Sequence, residues 1–302
     1  MATSYTKIVS FIALQRERLN AVFGACFRHA PAVNTLRHLF LALGRDDLEA
    51  AFRRHARDVS PQSAPQALRT VALDGKTLRG SVEPRGSPDF DHLTGRKAVH
   101  VLSAFASDAA LILAHQELAG APDEVAAVPR LMAELGLTGV LFTADALHCQ
   151  KDGFAQAAAT GHRRQEHRRV EVFDTAGQLD ASWQTLVSCV ARVSRLTYVK
   201  NTRSGLWTTR KEVGYYPCQT RHGAKVLGCA IRAHWGIENR AHYVRNVTLA
   251  EDASRIRTRP GVMARIRSVA LNILRANGVQ NISLALYANA VRFDQLLALG
   301  TQ

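Results

Sequence analysis

The stretch LRTVALDGKTLRGSV, residues 68–82, decides how the fold is read. Val71, Ala72 and Leu73 form an apolar run, Asp74-Gly75 interrupts it, and a second alternation follows. Asp-Gly between two such runs is a strong hairpin signal, because both residues accept the backbone of a tight turn. The stretch therefore reads as strand, turn, strand. A competing reading makes the run a central hydrophobic strand. Asp74 would then stand at its end, where a sheet opens to a ligand.

Working outward, the residues before this stretch read as helical. SYTKIVSFIALQRERLNAVF (4–23) has apolar residues near helical spacing. NTLRHLFLALGRDDLEAAFRRHARDV (34–59) predicts two short helices broken at Gly44, with Asn34 as a cap. SPQSAPQ (60–66) is a linker. After the stretch, AVHVLSAFA (98–106) and ALILAHQEL (110–118) predict two more strands. AAVPRLMAELG (126–136) predicts a helix closed by Gly136, and GVLFTAD (139–145) a strand buried on both faces. KDGFAQAAATG (151–161) reads as a helix. RRVEVFD (168–174), RLTYVKNT (195–202) and LWTTRKEVGYY (206–216) alternate like antiparallel strands.

The last third reads as helical again. AKVLGCAIRAHWGIENRAHYV (224–244) is one candidate helix, and ISLALYANAVRFDQLLAL (282–299) closes the chain. Between them lies VMARIRSVALNILRANG (262–278), with Val262, Ile266, Val269, Ile273 and Leu274 on one face. The whole order suits an α/β (α+β) chain, a mixed sheet flanked by helices, better than a regular βαβ repeat.

Composition narrows the function. The 302 residues are 47% hydrophobic and 21% charged, an ordinary globular balance, yet the formal net charge is +14. Such an excess favours a polyanionic partner, nucleic acid first. No stretch approaches the roughly 20 apolar residues of a spanning helix, and the first residues lack a signal-peptide core. A cytoplasmic protein without a membrane partner is expected. Five scattered cysteines without a C-x-x-C pair argue against a disulfide framework or a zinc site, which leaves buried thiols as the expectation.

Three acids could carry chemistry. Asp74 and Asp145 each follow an apolar run, and if those strands are neighbours their carboxylates converge. On the bland readings Asp74 is a turn residue and Asp145 a helix cap. Glu238, on a helix packed against the sheet, would complete a cluster of hard oxygens of the kind Mg²⁺ or Mn²⁺ requires. Two such ions about 3.5–4 Å apart support in-line phosphoryl transfer. Candidate DNA contacts are Lys76 and Arg79 beside Asp74, and His234 one helical turn before Glu238. The tract after Glu238 adds Arg240, Arg245, Arg255 and Arg257. Glu251-Asp252 could instead pair with Arg255 and Arg257. The basic run His162–Arg169 reads as solvated surface.

VALDGKTLRGS, LFTADALHCQK and HWGIENRAHYVRNVTLAEDASRIR, in that order, resemble the DDE transposases of bacterial insertion sequences. The likeness is to the ISAs type, the H-repeat-associated proteins, and covers nearly the whole chain. It implies a ribonuclease H-like catalytic domain over 67–302, after an N-terminal helical region and linker over 1–66. A β insertion at about 168–217 would separate the second Asp from the Glu. Asp74, Asp145 and Glu238 would be both the catalytic and the metal-binding triad, with two Mg²⁺ or Mn²⁺ ions. The partners implied are double-stranded DNA, at the insertion sequence's ends and at the target, and a homodimer on that DNA. Nucleoid association in the cytoplasm follows.

The chain also departs from the family pattern. From AAATG (157–161) it runs directly into HRRQEHRRVEVFD, so a strand with an L-x-x-K-G-N-Q pattern is absent. Asn246 stands where many members carry an acid. The shortened core opens a reading of the chain as a decayed, non-catalytic DNA-binding remnant. A third reading is a ribonuclease H-like nuclease not engaged in transposition.

Overall fold

The structure, a computed structural model, describes residues 2–61, 68–81, 98–118, 124–144, 157–161, 164–177, 179–184 and 186–292. Helix α1 (Tyr5–Phe23) opens at Ser4, whose hydroxyl accepts the Lys7 N–H, and closes at Gly24 with φ 60°. Helices α2 (Val33–Ala42) and α3 (Arg45–Asp58) are separated by Gly44 as expected. Asn34 is not the cap; it lies inside α2, which starts without a side-chain cap at Ala32.

Four strands form the first sheet in the order β3-β2-β1-β4. They are β1 (Arg69–Thr77), β2 (His100–Ala106), β3 (Leu111–Leu118) and β4 (Val140–Ala144). The Asp-Gly pair is therefore neither a turn nor a strand end. Asp74 and Gly75 sit within β1, opposite Ser103 and Leu102 of antiparallel β2. Gly75 does not adopt a positive φ. It is needed for its missing side chain, because a Cβ there would run into the side chains of Glu124 and His100.

The side chains of β1 alternate, so Ala72, Asp74 and Lys76 share one face and Val71 and Leu73 the other. Val71 and Leu73 pack with Leu102, Leu111 and Leu131, the last on helix α4 (Glu124–Leu135). Ala72 packs with Phe105, Ile112, Ile237 and Leu271. With both faces covered, β1 reads as a near-continuous apolar run up to its polar end. β4, expected to be buried on both faces, is only half-buried because it lies at the edge of the sheet. Among the described residues this is a mixed sheet flanked by helices, without a barrel, an arrangement consistent with a ribonuclease H-like fold.

The chain forms two compact units, Met1–Phe142 with Gly236–Gln302, and Thr143–Trp235. The second holds an antiparallel sheet in the order β5-β6-β7-β8. Its strands are β5 (Ala157–Gly161), β6 (Arg164–Asp174), β7 (Cys189–Lys200) and β8 (Trp207–Cys218), followed after a short α5 (Ala181–Gln184, between β6 and β7) by α6 (Ala224–Gly236). The helix expected over 151–161 is corrected, since Ala157–Gly161 pair with β6 and 151–156 lie outside the described residues. Gly228 on α6 lets the helix press onto β6: a Cβ there would stand 3.1 Å from a methyl of Val170. Of the cysteines, Cys189 is buried, while Cys26 and Cys229 are exposed, contrary to expectation.

The helix expected over 224–244 changes character. After α6 the backbone widens into π-helix over Ile237–His242 and Val244–Thr248. Tyr243 N–H bonds to the carbonyl of Glu238, and Leu249 N–H to that of Val244, each five residues back. Helix α7 (Pro260–Ala276) follows, then α8 (Ile282–Val291). The face of α7 also differs from the expectation: Ile266 is exposed, while Arg265, Arg267 and Asn272 are buried beside Val262, Leu271 and Leu274. Asn272 answers β3 as a neighbouring strand would. Its Oδ1 accepts the Ile112 N–H at 2.9 Å and its Nδ2 donates to the Ile112 carbonyl at 2.7 Å. Among the described residues no helix is long and apolar enough to cross a membrane.

Phe105 is fully buried at the centre of the cluster beneath the π segment. Phe105→Ala is expected to destabilise the fold by about 3–5 kcal/mol. Urea denaturation would show a lower midpoint at an unchanged slope, and a near-neutral result would remove this cluster as the main support of the sheet.

Candidate metal centre

Asp74 projects from the central strand β1 toward the π segment, its side chain half-buried. The π segment returns two groups to it, Glu238 and His242, four residues apart. His242 Nδ1 stands 3.1 Å from Asp74 Oδ2 and 3.3 Å from Glu238 Oε2. The three ligand atoms all lie within 4.8 Å of one another. His242 is 2% exposed, whereas Glu238 is open to solvent. The cluster thus runs from a buried imidazole to an accessible carboxylate. The hydrogen bond from His242 is the main reason that the Glu238 carboxyl titrates below its ordinary value, and partial burial opposes it. Glu238 is anionic at neutral pH.

The donors fit a divalent cation. Two carboxylates offer hard oxygens, and an imidazole nitrogen is acceptable to the first-row metals. With bonds of about 2.0–2.1 Å, donors at right angles round one ion stand roughly 3 Å apart. His242 keeps nearly that spacing to both carboxylates. The expected third carboxylate, Asp145, lies outside the described residues. β4, which ends one residue before it, is the neighbour of β1 in the sheet.

On the same face of β1, Lys76 Nζ stands 2.7 Å from Glu251 Oε2, and Arg245 Nη2 stands 2.8 Å from Glu251 Oε1. All three groups are buried, Arg245 completely. Burial alone would raise the Glu251 pKa, but Arg245 and Lys76 together overcome it and hold the carboxyl at about 2. Lys76 moves the other way from a simple pair: burial lowers its pKa despite Glu251. One carboxylate serves two cations, so the anion is well compensated and each cation only in part.

This arrangement corrects several expectations. Lys76 and Arg245, read as DNA contacts, are committed internally to Glu251 and closed to solvent. Glu251 pairs with both. Arg79, Arg240 and Arg255 are exposed, and Arg240 donates to the Ser107 carbonyl at 3.1 Å. Arg257 is half-buried. His234, also half-buried, has its Nδ1 3.0 Å from Thr143 Oγ1 in the second unit.

Two residues escaped the sequence reading. His242 follows Glu238 by four, a helical spacing that could have found it. His115 has no local signal. It lies across the sheet from Asp74 through Ser103, with Nδ1 3.0 Å from Ser103 Oγ and Nε2 2.7 Å from Ser268 Oγ on α7. Its ring stacks on Phe52 at 5.2 Å. Burial, then the cations Arg245 and Arg265, lowers its pKa far below the ordinary value, so it stays neutral.

No protein-family model matches the chain. Among curated proteins it is 29% identical over 276 residues to "Putative transposase YncI" of Escherichia coli O157:H7, covering 76% of this chain and 68% of that protein. It is 28% identical over 251 residues to "H repeat-associated putative transposase YhhI" of Escherichia coli K12, covering 68% of this chain and 63% of that protein. The chain therefore spans about two-thirds of the length of these relatives.

Glu251→Gln would leave Lys76 and Arg245 buried without an anion, an expected cost of about 3–5 kcal/mol. Because the folded pKa is depressed, the contribution of Glu251 is complete above the ordinary value of 4.5 and is lost as the pH falls toward about 2. Thermal melts across that window should show wild type losing its advantage over Glu251→Gln; curves that fall in parallel would mean that the carboxylate is not charged in the fold.

Proposed function

We propose that this chain, which fits the H-repeat-associated family, is a DNA transposase acting through Asp74, Glu238 and Asp145. The observation that carries the reading is the convergence of Asp74 and Glu238 on one side of a ribonuclease H-like sheet. The names of the relatives and the net charge of +14 support DNA as the partner. Asp74, Glu238 and Asp145 would hold two Mg²⁺ or Mn²⁺ ions. When bound, such ions supply Lewis-acid charge and a nucleophile at neutral pH.

The chain's own residues do the positioning. β1 fixes Asp74 between two covered faces. His242 spans Asp74 and Glu238 and keeps Glu238 ionised, so both carboxylates are ready without rearrangement. The exposed side at Glu238 admits a phosphodiester, and Arg79, Arg240 and Arg255 can take up flanking phosphates. Hydrolysis at the insertion sequence's ends would free a 3′-hydroxyl, which then attacks target DNA. No Ser or Tyr nucleophile is required. A homodimer on DNA, in the cytoplasm at the nucleoid, belongs to the same proposal.

A second reading, a DNA-binding remnant without catalysis, is favoured by one observation. The sequence runs from AAATG (157–161) directly into HRRQEHRRVEVFD, without the family's L-x-x-K-G-N-Q strand. The two readings separate on metal. Millimolar Mn²⁺ should raise the melting midpoint of wild type, by the equivalent of about 2.7 kcal/mol at a hundredfold excess over Kd. Asp74→Asn and Glu238→Gln should lose the shift, and His242→Gln should weaken it. A shift with Mn²⁺-dependent nicking of plasmid DNA supports the transposase; a wild-type chain that melts cooperatively and ignores Mn²⁺ supports the remnant.

A further inference from the structure

Of the cations that the sequence marks for DNA, Lys76 and Arg245 are buried, as are Arg265 and Arg267 further along the same tract. Residues 143–235, the second unit, contain 14 Lys and Arg against 7 Asp and Glu. Half of the chain's net charge thus lies in less than a third of its length.

The sheet of this unit has two unlike faces. Val170, Ala191, Val193 and Cys189 are buried on one. On the other, strand register lines up His167 with Leu196 and Lys211, and Arg169 with Ser194 and Val213. A groove of about 350 Å³ runs over these six residues. His167, Arg169 and Lys211 are exposed. The one acid in the lining, Glu212, already pairs with Arg195 at 2.9 Å and Arg210 at 2.6 Å. Glu171, next along this face, stands 3.9 Å from Arg169 and is shared with Arg192 at 3.6 Å, so the cations of the face still outnumber its acids.

We infer that this open face of the β5–β8 sheet is a docking surface for the phosphate backbone of double-stranded DNA. It rests on the transposase reading only in taking DNA as the polyanion. Strand spacing puts the His167 and Lys211 backbones roughly 10 Å apart across the sheet, and Arg169 roughly 7 Å along it from His167. Long Arg and Lys side chains at that spacing reach successive phosphates. Among the described residues the groove floor is aliphatic, Leu196 and Val213; His167 is the ring in the lining, and Tyr198 meets it edge-on at 6.1 Å, so the two do not present stacked planes. A single-strand platform needs aromatic planes for stacking, so backbone contact to a duplex is the better fit. Such contact orients DNA without reading its sequence.

The test is fluorescence anisotropy of a labelled duplex of arbitrary sequence with the full chain, over a KCl series, beside an identical single strand and anionic vesicles. Arg169→Gln/Lys211→Gln should reduce the log–log salt slope by about 2 and the affinity roughly 10- to 100-fold near 0.1 M salt. Arg169→Lys/Lys211→Arg, which keeps the charge, should bind as wild type. Both variants change exposed side chains and should melt like wild type. An unchanged slope and affinity in the Gln variant would overturn the surface while leaving the transposase reading standing. Preference for the single strand or for vesicles over the duplex would overturn it too. Failure of wild type to bind duplex DNA at all would sink both.

Discussion

The buried carboxylate of Glu251 is the constraint on which the rest depends. It ties a strand to a helix by two charged hydrogen bonds, one to Lys76 on β1 and one to Arg245 on the π segment. Lys76 is two residues beyond Asp74 on the same face, and Arg245 three beyond His242. The same bonds that neutralise buried charge therefore set the distance between Asp74 on the strand and Glu238 and His242 on the π segment. A buried ion cluster is a poor source of net stability, because desolvation offsets most of the attraction. Its return is geometric: two carboxylates and an imidazole within 4.8 Å of one another tolerate little drift between the strand and helix that carry them.

Similar pairings run through the first unit. Arg265 on α7 reaches Glu49 on α3 and Glu117 on β3, each at 2.7 Å. Gly261 makes room for Glu117, since a Cβ there would run into its carboxylate. Arg267 donates to the carbonyl of Ala2 at 3.2 Å, the Tyr5 hydroxyl donates to that of Thr258 at 2.9 Å, and Arg255 N–H donates to that of Thr3 at 2.7 Å. The arginine-rich segment that follows Glu238 is thus in large part an internal fastening for α1, α3 and β3.

Why some of this was legible in the sequence and some was not follows from range. Alternation and helical spacing are local, and they located β2, β3, β6, β7, β8 and the helices α1, α2, α3 and α4. The Asp-Gly pair misled because its local preference for a turn yields to burial on both faces of β1. The arginines misled for a related reason. Sequence counts charge but not partners, and Lys76 meets Glu251 across 175 positions. The π-helix is likewise invisible, since residues 237–248 carry no composition that separates it from an α-helix. Of the site, Asp74 and Glu238 could be named from the residues, and His242 was present in the quoted motif without being singled out.

The division of the chain has a consequence for its synthesis. The second unit is continuous, Thr143–Trp235, whereas the first is built from both sides of it. At about 5–20 residues per second, β1 leaves the ribosome roughly 8–33 s before the π segment. Through that interval Asp74 lacks His242, Lys76 lacks its anion, and the face of the sheet bearing Phe105 lacks the π segment and α7, with only Phe52 of α3 packed in that cluster. A nascent chain released early would then carry the basic sheet without the Asp74–Glu238–His242 cluster, which is completed last, with the segment that closes the core.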